Sequence, residues 1–139
     1  MAALLTQLQI IDQQAKLSQL NGLLAYAYTV ALIEFKRKFP AGPRPMLDST
    51  FRNERQQNDL YAQGRTKKGP VVTHKRFPES KHNKFPALAF DVKMVWPDGR
   101  VDWEPELFED FDRCMALTGV KYTWGGLSRT FPDRPHFEM

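Results

Sequence analysis

The sequence predicts an α+β domain, a small antiparallel sheet with packed helices, preceded by N-terminal helices. Three observations predict it. Apolar residues recur at helical spacing through the first 38 residues, and the run stops at Pro40. Residues 87–96 alternate instead, with Leu88, Phe90, Val92, Met94 and Trp96 on one face and Ala87, Ala89, Asp91, Lys93 and Val95 on the other. An amphipathic helical pattern follows from Glu104.

Taken in order, residues 3–18 set Leu4, Leu8, Ile11 and Ala15 on one helical face. From 20 to 38 the positions Leu20, Leu23/Leu24, Ala27, Ala31 and Phe35 continue the spacing, with Gly22 as the break. Lys36, Arg37 and Lys38 suit the negative end of that helix dipole. Ala41–Pro45 is a Pro/Gly loop, and Met46–Phe51 can form a short strand. Residues 54–63 read as a polar helix closed by Gly64, and residues 65–81 as basic and irregular. Pro97-Asp98-Gly99 is a turn, because proline fixes φ and glycine accepts a positive one. The next helix has Pro105 at its first position, Gly119 at its end, and a stripe of Leu107, Phe108, Phe111, Met115 and Leu117/Thr118. Val120–Trp124 and Pro135–Glu138 are short strand candidates around a Gly125-Gly126 turn. Cys114 reads as an inert core thiol, and Trp96 and Trp103 as sheet packing.

With 139 residues the chain has room for one domain. A single cysteine excludes a disulfide framework, a multi-cysteine zinc knot and an iron–sulfur site. Three histidines, His74, His82 and His136, bound any metal site. The net charge of +4 is uneven: residues 1–91 hold 14 Lys/Arg against 7 Asp/Glu, and residues 92–139 hold 6 against 9. The cations are scattered as on a solvated face, and no readout element for nucleic acid accompanies them. Leu17–Ile33 lacks charges, yet Ser18, Gln19, Asn21, Gly22 and Thr29 dilute it, so a buried helix is expected rather than a membrane span. No basic region precedes Leu4-Leu5, so no signal peptide is expected.

The strand reading isolates Asp91, a carboxylate between small neighbours on a strand whose other face is core. Such a group meets solvent, a cation or a metal. Ser80-Lys81-His82-Asn83 lies just upstream, and Asp133 stands three residues before His136. Two histidines and one carboxylate from separate segments make a three-ligand set that leaves zinc an open position for water. A second carboxylate beside it can take that water's proton. His82, Asp91, His136 and Asp133 supply these parts. His74, in the basic loop, is expected to be exposed or near the groove.

The sequence resembles the D-alanyl-D-alanine carboxypeptidase/L-alanyl-D-glutamate endopeptidase family of zinc peptidases, whose phage members are endolysins. The resemblance covers about residues 49–139. It is carried by Ser49-Thr50-Phe51-Arg52-Asn53, Gln56 or Gln57, Leu60 to Thr66, Val71-Val72-Thr73, Ser80-Lys81-His82-Asn83, Ala89-Phe90-Asp91, Trp124-Gly125-Gly126 and Asp133 to Glu138. It implies a hedgehog/D-Ala-D-Ala-peptidase-like fold over residues 41–139, with residues 1–40 as a helical segment packing on it. It further implies Zn²⁺ held by His82, Asp91 and His136, with Asp133 as catalytic base. Arg52 would bind a substrate carboxylate or the oxyanion, a role that suits a guanidinium. Gln56 and Trp124 would line the substrate groove, and Ser80 would support the metal shell by a hydrogen bond. Nine steps separate His82 from Asp91 where the family more often has seven, and the extra pair falls in the loop 83–86.

The implied function is hydrolysis of the L-alanyl-D-glutamate bond of the peptidoglycan stem peptide, with bacterial wall lysis as the outcome. A D-Ala-D-Ala carboxypeptidase is the alternative within the same chemistry, and a non-catalytic wall-binding or assembly module the alternative outside it. The expected partner is peptidoglycan, with no nucleic acid, no stable membrane insertion and a monomeric state. The expected location is the host cytoplasm until release to the wall.

Overall fold

The computed structural model describes residues 5–139, so Leu4 of the first predicted helix lies outside the described residues. Helix α1 (Gln7–Ser18) starts at a Thr6 cap reciprocated by Gln9. Its apolar stripe does not enter the core: Leu8 is 79% exposed and Ile11 60%. Leu17 in its last turn packs against the core, and polar contact docks the rest of the helix. The Gln13 side-chain amide donates to Leu47 O and accepts from Leu47 N, both at 2.8 Å. A primary amide offers the donor and acceptor of a peptide group, so Gln13 closes an open strand edge as another strand would.

Helix α2 (Gly22–Lys38) begins at Asn21, whose Oδ1 accepts from Leu23 N and Leu24 N. Leu24, Ala27, Tyr28, Ala31 and Phe35 are buried, while Leu23 faces solvent. Opposite them lies α4 (Pro105–Ala116), which buries Phe108, Phe111, Cys114 and Met115. The helix stops at Ala116, so Leu117 is exposed rather than part of the stripe. Phe111 sits 6.2 Å from Tyr28 and 6.1 Å from Phe35, ring centre to ring centre. Residues from the N-terminal segment therefore share one core with the rest of the chain.

The sheet has the order β1-β2-β5-β4. Strand β1 (Arg44–Ser49) runs antiparallel to β2 (Ala89–Val95) along one edge of the latter. On the other edge, β5 (His136–Glu138) pairs with the first half of β2, and β3 (Val101–Asp102) with its end. Strand β4 (Thr123–Trp124) lies outside β5. The two-residue β3 was not expected; the turn at Pro97-Asp98-Gly99, with Gly99 at φ +88°, folds the chain straight back onto β2. Trp96 donates to Asp102, whereas Trp103 does not pack in the sheet: it stacks on Phe108 of α4, is half exposed and lines the cleft on the open face.

Alternation then sorts the two faces. Phe90, Val92, Met94 and Phe137 point into the core beneath α2 and α4, with Phe90 and Phe137 stacked at 5.2 Å. Asp91, His136 and Glu138 point to the other face. No helix among the described residues is long and apolar enough to cross a membrane.

Candidate metal centre

Three segments converge on the open face of the sheet. Asp91 and His136 are direct cross-strand partners in β2 and β5, which brings Asp91 Oδ1 to 2.9 Å from His136 Nδ1. His82 comes from a 3₁₀ turn (Lys81–Asn83) capped by Ser80, whose Oγ accepts from His82 N at 3.2 Å. Ser80 thereby fixes the turn that carries His82. The residues added between His82 and Asp91 are absorbed in the turn and the loop after it, so Asp91 keeps its face of β2.

Both imidazoles are aimed from behind. His82 Nδ1 donates to Thr50 O at 2.7 Å, and a carbonyl accepts only, so Nε2 turns its lone pair to the cluster. His136 Nε2 donates to Glu138 Oε1 at 2.8 Å, which turns Nδ1 inward. His82 Nε2 stands 3.3 Å from His136 Nδ1 and 3.4 Å from Asp91 Oδ1. Two zinc ligands at about 2.05 Å in tetrahedral arrangement are about 3.3 Å apart. Two of the three separations match the edges of such a shell, the third is the 2.9 Å hydrogen bond between Asp91 and His136, and the donor set fits a metal ion that would replace the shared proton. Acceptors behind the ring nitrogens are the usual support of metal-bound histidine.

The electrostatics separate two carboxylates. Burial opposes ionisation of Asp91, but the adjacent His82 and His136 hold it well below the usual carboxylate range. Burial raises the Asp133 carboxyl and the Asp91 charge raises it further, with His136, His82 and Arg52 pulling the other way. His136 is pushed up to about 9: burial works against its charge, and the hydrogen bonds to Asp91 and Glu138 overcome it. Carboxylates driven in opposite directions in one cleft are suited to different roles, the acidic one to hold a cation and the basic one to accept a proton.

Asp133 lines the same cleft, of about 580 Å³, as His82, Asp91, His136, Arg52 and Ser80. Its place depends on Gly125, whose carbonyl accepts from Asp133 N at 3.0 Å. A side chain at Gly125 would collide with the Asp133 carbonyl, and one at Gly126 with the Trp124 ring. Arg52 donates through Nη2 to Asp91 Oδ2 at 2.9 Å, through Nε to Ser49 Oγ and through Nη1 to Gln57 Oε1. A guanidinium has five N–H groups, so two remain for a substrate. Trp124 is turned into the core, its Nε1 donating to Arg134 O, and holds the Asp133 loop rather than lining the cleft. Gln56 caps α3 (Glu54–Ala62) and opens onto a groove on the far side of Arg52. His74 is exposed at the cleft, edge-on to Phe131.

Two residues within the matched segments have roles that the sequence did not assign. Gln57 is fully buried and accepts from both Arg52 and Asn83 while donating to Lys75 O. Glu138 was visible in principle: alternation in Pro135–Glu138 places it two residues from His136, on the same face.

No family model matches the chain. The chain is 38% identical over 96 residues to the peptidoglycan L-alanyl-D-glutamate endopeptidase CwlK of Bacillus subtilis, across 64% of this chain and 56% of that protein. It thus spans about half the length of the curated relative it matches. Its fold matches the crystal structure of the L-Ala D-Glu endopeptidase ChiX of Serratia marcescens with a TM-score of 0.66 at 19% identity. That match covers 91% of this chain and 85% of the other.

Proposed function

We propose that this chain, a relative of the L-alanyl-D-glutamate endopeptidases in sequence and their match in fold, is a zinc-dependent peptidoglycan peptidase. The bond it cuts is the L-alanyl-D-glutamate bond of the stem peptide, and wall lysis is the outcome. The observation that carries the reading is the convergence of His82 Nε2, Asp91 Oδ1 and His136 Nδ1, with a carboxylate of raised pKa, Asp133, in the same cleft.

Zinc held by these three residues would polarise the scissile carbonyl and bring a water pKa toward neutrality. Asp133, the stronger base of the two carboxylates, takes a proton from the attacking water and returns it to the leaving amine. Arg52 keeps Asp91 in place with one N–H and has two others for a substrate carboxylate or the oxyanion. Thr50 O and Glu138 hold the ring orientations.

Muropeptide analysis after digestion of purified wall tests this. New L-alanine C-termini and glutamate N-termini are expected, and a chelator should abolish them. Asp133→Ala should keep the metal and lose activity by about 10²–10⁴-fold, while His136→Ala loses both. Release of D-alanine alone would assign the chain to the carboxypeptidases instead. Full activity of Asp133→Ala would refute the assignment of the base.

A further inference from the structure

A second groove, of about 880 Å³, runs between α1 and α3 and meets the catalytic cleft at Asp48, Arg52 and Leu60, which line both. We propose that this groove binds the glycan strand of peptidoglycan, as a subsite for the neutral sugars that carry the scissile peptide. The proposal rests on the peptidoglycan reading above and extends it.

Substrate chemistry requires a sugar close by. The stem L-alanine is joined by an amide to the lactyl group of the muramic sugar, so one residue separates that sugar from the L-alanyl-D-glutamate bond. One residue spans at most about 3.6 Å. A glycan on the enzyme therefore lies immediately beside the cleft, and the groove opens there, past Arg52.

The groove suits a neutral, hydrogen-bonding ligand more than an anionic polymer. Its cations are largely answered by acids: Lys16 by Asp12 at 2.7 Å, Lys67 by Asp59 at 3.1 Å and Arg52 by Asp91 at 2.9 Å. Asp48, in turn, faces Lys93 at 3.6 Å. Paired charges leave little net field to attract an anion. Gln56 spends its Oε1 on the helix cap, which leaves its amide N–H groups for a ligand. Gln63 spends Nε2 on Pro70 O and keeps its carbonyl. Half-buried Phe51, edge-on to Phe85 at 5.4 Å, adds an apolar surface for a sugar ring. The volume lies within the ordinary range for small-ligand sites.

Ala15 is exposed on α1 and lines the groove, so enlarging it fills the space without removing a contact. The zinc-loaded protein is assayed on a free stem peptide and on the same peptide carrying N-acetylglucosaminyl-N-acetylmuramoyl. Wild type should cleave the sugar-bearing peptide about tenfold better in kcat/KM, equivalent to about 1.4 kcal/mol. Ala15→Trp and Ala15→Arg should erase that preference and leave the free-peptide rate unchanged. Equal rates on both substrates in wild type, or a preference that survives in both variants, would overturn the glycan site while the peptidase reading stands. Cleavage of neither substrate would overturn the peptidase reading. Binding decides the groove independently: N-acetylglucosaminyl-N-acetylmuramoyl-L-alanine should shift the amide resonances of Ala15, Gln56 and Gln63 in wild type. No shift at these positions overturns the proposal whatever the activity.

Discussion

Glu138→Ala should weaken zinc binding by about tenfold and leave the fold intact. The carboxylate accepts from His136 Nε2 at 2.8 Å, and the two side chains are 25% and 16% exposed. A charge-assisted hydrogen bond of this kind contributes about 1.5–3 kcal/mol. At about 1.4 kcal/mol per decade, that is roughly 10- to 100-fold in affinity, the range typical of groups behind a metal ligand. Water can reach the quarter-exposed carboxylate site and replace part of the contact, which puts the expected loss at the low end. Glu138→Gln keeps a neutral acceptor and should lose about threefold. Competition against a chromophoric chelator at neutral pH measures both variants, with far-UV circular dichroism to confirm folding. Wild-type zinc affinity in Glu138→Ala would show that the imidazole is oriented by something else, and the argument from its partner would fail.

Two more predictions follow from the fold. Gln13→Ala removes both side-chain bonds to Leu47 and should cost about 1–2 kcal/mol in urea unfolding, with faster hydrogen exchange at Leu47 N; unchanged exchange would contradict docking through Gln13. Burial raises the Tyr28 phenol above its usual value, against smaller opposing effects of Arg44 and the Leu47 backbone. The fold thus favours the neutral form, so stability is full below about pH 10 and falls as pH rises beyond it, by up to about 1.4 kcal/mol per unit. Tyr28→Phe should lose about 1–3 kcal/mol at neutral pH, because Pro45 O loses its donor, and should flatten the alkaline slope. Tyr122 and Cys114, also raised by burial, contribute to the slope that remains. An alkaline slope identical to wild type would refute the role of Tyr28.

Period and punctuation made much of this molecule legible in its residues. The ten-residue alternation located β2 and the face of Asp91, and the 104–118 stripe located α4 with Phe108, Phe111 and Met115 buried. Local patterning failed where polar groups override it. Helix α1 has an apolar stripe, but the helix docks through Leu17 and through one glutamine finding a strand edge, which no periodicity encodes. Residue type and order supplied the parts, His82, Asp91, His136 and Asp133, because few histidines compete for the role, and the family resemblance singled out three of them as ligands. Their support could not be read this way: Thr50 contributes a backbone carbonyl, for which any residue would serve, and Gln57 differs from Gln56 only in which side of α3 it occupies. Trp124, read as a groove residue, shows the converse, since aromatic character says nothing about which side of a short strand the ring takes.

The cross-strand pairing of Asp91 with His136 makes the site a proofreader of its own sheet. Strand β5 is only three residues long, and a slip of one residue would turn His136 and Glu138 toward the core and Phe137 toward solvent. Such a slip would dismantle the candidate ligand set in a single step, so an ion bound there would select the correctly threaded chain from its near neighbours. On the proposed function, catalytic competence and correct closure of the sheet would become one event, and a misthreaded molecule would be inert by construction.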